Sequence, residues 1–132
     1  MAAPDDVAPR ANPAFTVAGR LKSVRYAFAG IAVMLRTQHN AWLHLAATVA
    51  VIAAGFALRI SANDWRWLVV AIVLVWVSEG VNTAFEHLCD VVQPGFHESV
   101  KVSKDIAAGA VLITAIGAAV LGAMIFVPYL VR

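Results

Sequence analysis

The chain has 132 residues, room for one domain. Its composition, 61% hydrophobic and 14% charged, departs from soluble proteins, in which about a quarter of residues are charged; with a mean hydropathy of +0.79 it reads as an integral membrane protein. A net charge of +2 without any Lys/Arg run excludes nucleic acid as a partner, and the single cysteine, Cys89, excludes an intrachain disulfide or a C-x-x-C metal or redox site.

Residues 1–14 are rich in Ala and Pro, carry Asp5 and Asp6, and lack the apolar core of a signal peptide. They are expected to form a disordered tail, leaving residues 15–132 as the membrane domain. From 15 to 36, Phe15, Ala18, Leu21, Val24, Phe28, Ile31 and Leu35 recur every three or four positions, with Arg20, Lys22, Arg25 and Arg36 between them. That pattern predicts an amphipathic helix lying in the membrane interface, with Gly30 as a point where it could kink or break.

A polar link at 36–40 leads into a first transmembrane helix at about 41–59, apolar from 42 to 58 except for His44 and Thr48. After a short turn, Trp65 and Trp67 are interfacial anchors for a second span at about 65–90. Cys89 reads as a small buried hydrophobe near its end. Residues 91–103 are expected to be a polar loop interrupted by Pro94 and Gly95. Lys104 and Asp105 open a third span at about 104–127, closed at the far interface by Pro128 and Tyr129. The fold class expected is therefore all-α: three transmembrane helices plus an amino-terminal surface helix.

With three spans, Arg10, Arg20, Lys22, Arg25, Arg36, Lys101 and Lys104 share one side of the membrane, against Arg59, Arg66 and Arg132 on the other. The positive-inside rule places the first group, and the amino terminus, in the cytoplasm. Gly80 with Ala84 and Ala118 with Gly122 are small pairs at four-residue spacing, which let membrane helices approach closely. Three spans are few to enclose several charges, so a homo-oligomer with shared sites is expected.

The second span carries a polar stripe. Glu79, Asn82, Glu86 and Asp90 step by three, four and four, within roughly 80° of arc on one helix face. A helix leaving the bilayer with a solvated face accounts for Asp90 and Glu86, but not for Glu79, which follows an unbroken apolar run at 68–77. Ionisable residues in such a setting are costly and mark function. Carboxylates and an amide suit Mg²⁺, which is held by one or two carboxylates plus substrate phosphates. Lys104 near a helix start can hold phosphate, and a glutamate deeper in the membrane can act as a general base. Together these parts suggest phosphoryl transfer, although no GxxxxGK[ST] phosphate loop is present. The alternative is a small transporter or channel with an ion or proton pathway along the same carboxylates. Against it, the charges gather on one membrane side. His39, His44, His87 and His97 form no i,i+4 pair and read as polar interfacial residues rather than as a transition-metal site.

The stretch from Glu79 through Asn82 and Glu86 to Asp90, followed by His97-Glu98 and by Lys104-Asp105-Ile-Ala-Ala-Gly-Ala-Val, resembles the bacterial diacylglycerol kinase/undecaprenol kinase family of small integral membrane lipid kinases. The family pattern is roughly E-x-x-N-[ST]-A-x-E-x-x-x-D, then K-D-[MIL]-[AG]-[AS]-[AG]-A-V. The resemblance covers about residues 20–129 and implies a homotrimer in the bacterial inner (cytoplasmic) membrane, with active sites at subunit boundaries and MgATP-dependent phosphorylation of a lipid alcohol. By matched position it makes Glu79 the base for the lipid hydroxyl, Asn82 an orienting residue and Glu86 a ligand of the metal on ATP. Asp90 and Asp105 would organise the nucleotide, Lys104 would hold its phosphates, and Tyr26 matches an aromatic near the nucleotide. In one place the chain departs from the family. Where the family has a metal-binding glutamate, in E-x-N-x-x-x-H, this chain has Gln38, followed by Asn40 and His44; an amide oxygen replaces a charge. The Asn40/His44 pair and the order of residues 107–110 look more like the undecaprenol kinase branch.

Overall fold

The computed structural model describes residues 16–131; the expected tail at 1–14 lies outside them. Among these residues the chain is helical throughout: α1 (Val17–Thr37), α2 (His39–Ala57), α3 (Ala62–Val92) and α4 (Glu98–Leu130). The last three are long and apolar enough to cross a membrane.

Helix α1 begins where Thr16 Oγ1 accepts from the Gly19 N–H at 3.1 Å, an N-cap that satisfies one orphan donor. Gly30 does not interrupt it, and the helix runs on to Thr37. Only Gln38, in extended conformation, separates α1 from α2. Helix α1 is exposed along most of its length, and Met34 is its buried residue.

The turn after α2 is built by a Schellman motif. The Ile60 N–H bonds back to the Gly55 carbonyl (3.1 Å) and the Arg59 N–H to that of Phe56 (3.2 Å), with Arg59 at φ +50°. The reversal brings Gly55 against Trp65, close enough that a Cβ on Gly55 would lie 2.8 Å from the indole ring. Ile60, Leu68 and Ile125 form a buried cluster there, with Val51, Leu58 and Phe126 packed around it. Ser61 caps α3, accepting from the Asp64 N–H at 3.2 Å. Tyr129 Oη, on the last turn of α4, donates to Asp64 Oδ2 at 2.6 Å and accepts from the Ser61 N–H at 3.0 Å. Pro128 does not end α4, although it lacks the N–H that would bond back to the Met124 carbonyl; the helix runs on to Leu130, and Tyr129 ties its final turn to α3.

Helices α3 and α4 form an antiparallel pair joined halfway along by the Ser78 and Thr114 hydroxyls, 2.7 Å apart. Helix α2 joins α3 through Trp76 Nε1, which donates to Thr48 Oγ1 at 3.1 Å. At 31 and 33 residues, α3 and α4 are about 46 and 50 Å long, well beyond the roughly 30 Å hydrocarbon thickness. The excess lies at the end that holds Glu86, Asp90 and Lys104, where the apolar runs have stopped. Much of the expected loop is thus helix. His97 Nδ1 accepts from the Ser99 N–H at 3.2 Å and starts α4 at Glu98, leaving 93–97 as the connection.

The small pairs do not mediate close approach within one chain. A Cβ on Gly122 would meet nothing within 4 Å, and one on Gly80 only Met34 Sδ at 3.9 Å.

Candidate active site

The face of α3 that turns inward carries Leu68, Ala71, Val75, Glu79, Asn82 and Thr83 as buried residues. The apolar members pack first, and the polar ones follow on the same helical stripe. Glu79 is 1% exposed, and neither carboxyl oxygen has a hydrogen-bond partner in the chain. Such a carboxyl is expensive to bury without a partner. Thr83, one turn on, directs its hydroxyl to the Glu79 backbone carbonyl (2.8 Å) and not to the carboxyl.

One turn further towards the open end, Glu86 is half-buried and accepts two amide N–H groups. Gln38 Nε2 donates to Oε2 at 2.9 Å, and Asn82 Nδ2 to Oε1 at 3.2 Å. The Asn82 side-chain oxygen is buried and unpartnered. At the end of α3, Asp90 pairs with Lys104 of α4 at 2.5 Å. Along the α3 axis Glu79 lies about 10 Å from Glu86 and about 16 Å from Asp90, so the stripe is a graded line from a buried carboxyl to an exposed ion pair.

Two expected members stand apart within a single chain. Asp105 is exposed and paired with Lys101 at 2.8 Å, one helix turn away on α4. Tyr26 is 60% exposed, with the Lys22 ammonium 5.9 Å from its ring centre. It precedes Gln38 by twelve residues, which is about 18 Å along α1. Conversely, one residue that sequence reasoning set aside belongs here. His44 of α2 is 12% exposed and brings Nε2 to 3.6 Å from Glu79 Oε2. The signal was its spacing: Ala41, His44, Thr48 and Gly55 fall on one face of α2, and that face meets α3.

An apolar cavity of about 830 Å³ opens between α1, α2 and α3, lined among others by Met34, Leu45, Trp76, Gly80, Thr83 and Ala84; Glu79 itself is not in its wall, but Gly80 and Thr83, its neighbours on α3, are. A hydrophobic cavity edged by a few polar groups is the usual form of a small-ligand site.

A divalent cation fits the donor set at Glu86. Among the described residues no three His, Cys, Asp or Glu side chains gather into a metal cage. One carboxylate with two amides beside it instead suits Mg²⁺, which fills its remaining positions with water and phosphate oxygens. Gln38 and Asn82 now turn N–H groups towards Glu86; rotation of either amide would present its oxygen.

Residues 25–126 match the family model described as prokaryotic diacylglycerol kinase. The chain belongs to that family. It is 40% identical over 109 residues to a diacylglycerol kinase of Synechocystis, covering 82% of this chain and 62% of that protein. It is 37% identical over 109 residues to an undecaprenol kinase of Bacillus subtilis, covering 83% of this chain and 89% of the relative. The chain thus spans less than two thirds of the cyanobacterial kinase and most of the bacillar one. The family match takes in the whole stripe from Gln38 to Asp105.

Proposed function

We propose that this chain is an ATP-dependent lipid kinase that phosphorylates the hydroxyl of a membrane lipid alcohol, undecaprenol or diacylglycerol. The observation that carries this reading is the graded line on α3. A buried carboxyl with open oxygens, Glu79, lies on α3 next to Gly80 and one turn from Thr83, both of which line an apolar cavity, while an ion pair to a lysine, Asp90–Lys104, sits at the exposed end. Such a line suits a reactant whose tail is greasy and a donor whose phosphates are water-borne.

In this mechanism Glu79 accepts the proton of the lipid hydroxyl as its oxygen attacks the γ-phosphorus of ATP. Asn82, with its unpartnered side-chain oxygen, orients the hydroxyl. Lys104 holds phosphate oxygens, and Asp90 keeps its ammonium aimed at them. Glu86, with Gln38, would hold Mg²⁺, which neutralises charge building on the transferred group. Asp105 and Tyr26 would organise the nucleotide of a site completed by a neighbouring chain.

The same reading makes α1 an interfacial helix, puts the Lys104 end of the bundle in the cytoplasm of a bacterial inner membrane, and assembles the chain as a homotrimer. The positive-inside count and the exposure of α1 support the first two, and the separation of Tyr26 and Asp105 from Glu86 supports the third. The transport alternative is not favoured: both relatives are named as kinases, and the polar stripe stops at Glu79, with residues 68–77 of α3 apolar.

The test is direct. Purified chain in proteoliposomes is given γ-labelled MgATP and either lipid, side by side. Label is expected in lipid phosphate, and Glu79→Gln is expected to reduce turnover by about 10²- to 10⁴-fold, the range for losing a general base, without changing assembly. Label in neither lipid, or full activity in Glu79→Gln, would overturn the proposal.

A further inference from the structure

We propose that His44 is a positioning residue for Glu79, holding one carboxyl oxygen so that the other is left for the substrate hydroxyl. The inference rests on the reading of Glu79 as the base. His44 Nε2 lies 3.6 Å from Glu79 Oε2, on a different helix, and all three polar atoms concerned (His44 Nε2 and both Glu79 oxygens) are buried without a hydrogen-bond partner. Buried polar atoms left unpaired on both sides of a gap are rare.

The position of His44 is fixed from above and below. Ala41, one turn before it on α2, is fully buried. Thr48, one turn after it, is tied to Trp76 of α3 at 3.1 Å. The imidazole is therefore held against α3 at the level of Glu79. A separation of 3.6 Å exceeds a hydrogen bond, which needs about 3.2 Å or less, by an amount that a small side-chain rotation removes.

The chemistry follows from what Glu79 must do. To accept a proton it must first be ionised, and a buried carboxylate without a donor is strongly disfavoured. A neutral imidazole with its proton on Nε2 supplies that donor at Oε2. During transfer the lipid O–H bond breaks and its proton moves to Glu79 Oε1. The lipid oxygen bonds to the γ-phosphorus, and the bond from that phosphorus to the β–γ bridging oxygen breaks, releasing ADP. His44 keeps its own proton throughout. It touches neither substrate nor phosphate, and acts through Glu79.

A packing role alone would be satisfied by any side chain of similar size, and this separates the two ideas. The full chain is assayed in proteoliposomes as wild type, His44→Leu and His44→Gln. His44→Leu fills the space without a donor and is expected to lower kcat by about 10- to 100-fold, as for the loss of a hydrogen bond to a charged group, with KM for the lipid little changed. His44→Gln restores an N–H and is expected to recover most of that loss. Equal kcat in wild type and His44→Leu would overturn the proposal while leaving the kinase reading intact. So would a His44→Gln variant no better than a folded His44→Leu. A second measurement is independent of turnover: nitrogen-15 spectra of histidine-labelled chain in bicelles. The His44 proton is expected on Nε2, with that resonance displaced in Glu79→Gln. Unchanged His44 signals on that substitution would overturn the pairing even if the assay detected no lipid phosphorylation.

Discussion

Glu86 accepts two amide N–H groups, from Gln38 and Asn82, and an amide can present either of its ends to a neighbour. Here the donor ends face the carboxylate; in the proposed function a cation at Glu86 would call for the oxygens, which rotation of the amides would present. In that reading Gln38 would serve both arrangements, at the cost of the charge that a glutamate would add. Gln38→Glu would set a second carboxylate beside Glu86, where the amide now sits 2.9 Å away. The expected result is a fall of about tenfold in the Mg²⁺ concentration giving half-maximal rate, since ligand charge is a main control on affinity for hard cations. In chelator the same variant is expected to unfold earlier than wild type, through repulsion of the two carboxylates, with Mg²⁺ restoring its midpoint. A titration curve superimposable on wild type would remove Gln38 from the cation site. His44 shows the limit of reading residues singly. Its spacing with Ala41, Thr48 and Gly55 marks one face of α2, but which side chain it meets there depends on the register of α2 against α3.

The elements were legible to different depths. The stripe from Glu79 to Asp90 follows from helical spacing alone, as do three runs of membrane-grade hydropathy. Helix ends were harder, because they depend on capping geometry more than on apolar content: the His97 cap begins α4 well before its apolar run, and Tyr129 carries α4 past Pro128. The tightest approach between elements was also missed. Among the glycines it lies not at the Gly80 or Gly122 pairs but at Gly55, beneath the Trp65 ring. That ring is hemmed in, since Phe56 stands 4.9 Å away, centre to centre, and the ring packs against the Ile60, Leu68 and Ile125 cluster. Gly55→Ala is therefore expected to destabilise the chain by about 1–3 kcal/mol, the usual range for overpacking, read as an earlier unfolding midpoint in detergent. Arg59→Gly in the same turn should act oppositely. It removes the left-handed strain at φ +50° and is expected to stabilise by up to about 1 kcal/mol. If Gly55→Ala unfolds no earlier than wild type, the packing of the α2–α3 turn is not as tight as described.

At the scale of the molecule, one chain holds a line of polar groups but not every residue the line calls for. Tyr26 sits about 18 Å along α1 from Gln38, and Asp105 faces Lys101 rather than Glu86. Large apolar side chains remain exposed on both α2 and α4, among them Val49, Phe56, Ile113, Ile116 and Val120; some of that surface meets lipid, and a second copy would cover the rest. In the proposed homotrimer, closed rotational symmetry would supply each chain's missing groups from a neighbour. Mixing two defective chains discriminates between a shared site and a self-contained one. Glu79→Gln removes the proposed base, and Asp105→Ala removes a group that a single chain does not bring to it. If each site takes Glu79 from one chain and Asp105 from the next, random co-assembly leaves about a quarter of sites with both intact, and activity should return towards that fraction. If one chain supplied both, every site in the mixture would keep its defect and mixing would restore nothing. The measurement is lipid phosphorylation by co-refolded mixtures at equal total protein. A flat response across all mixing ratios would show that the site lies within one chain and would remove the main support for shared sites.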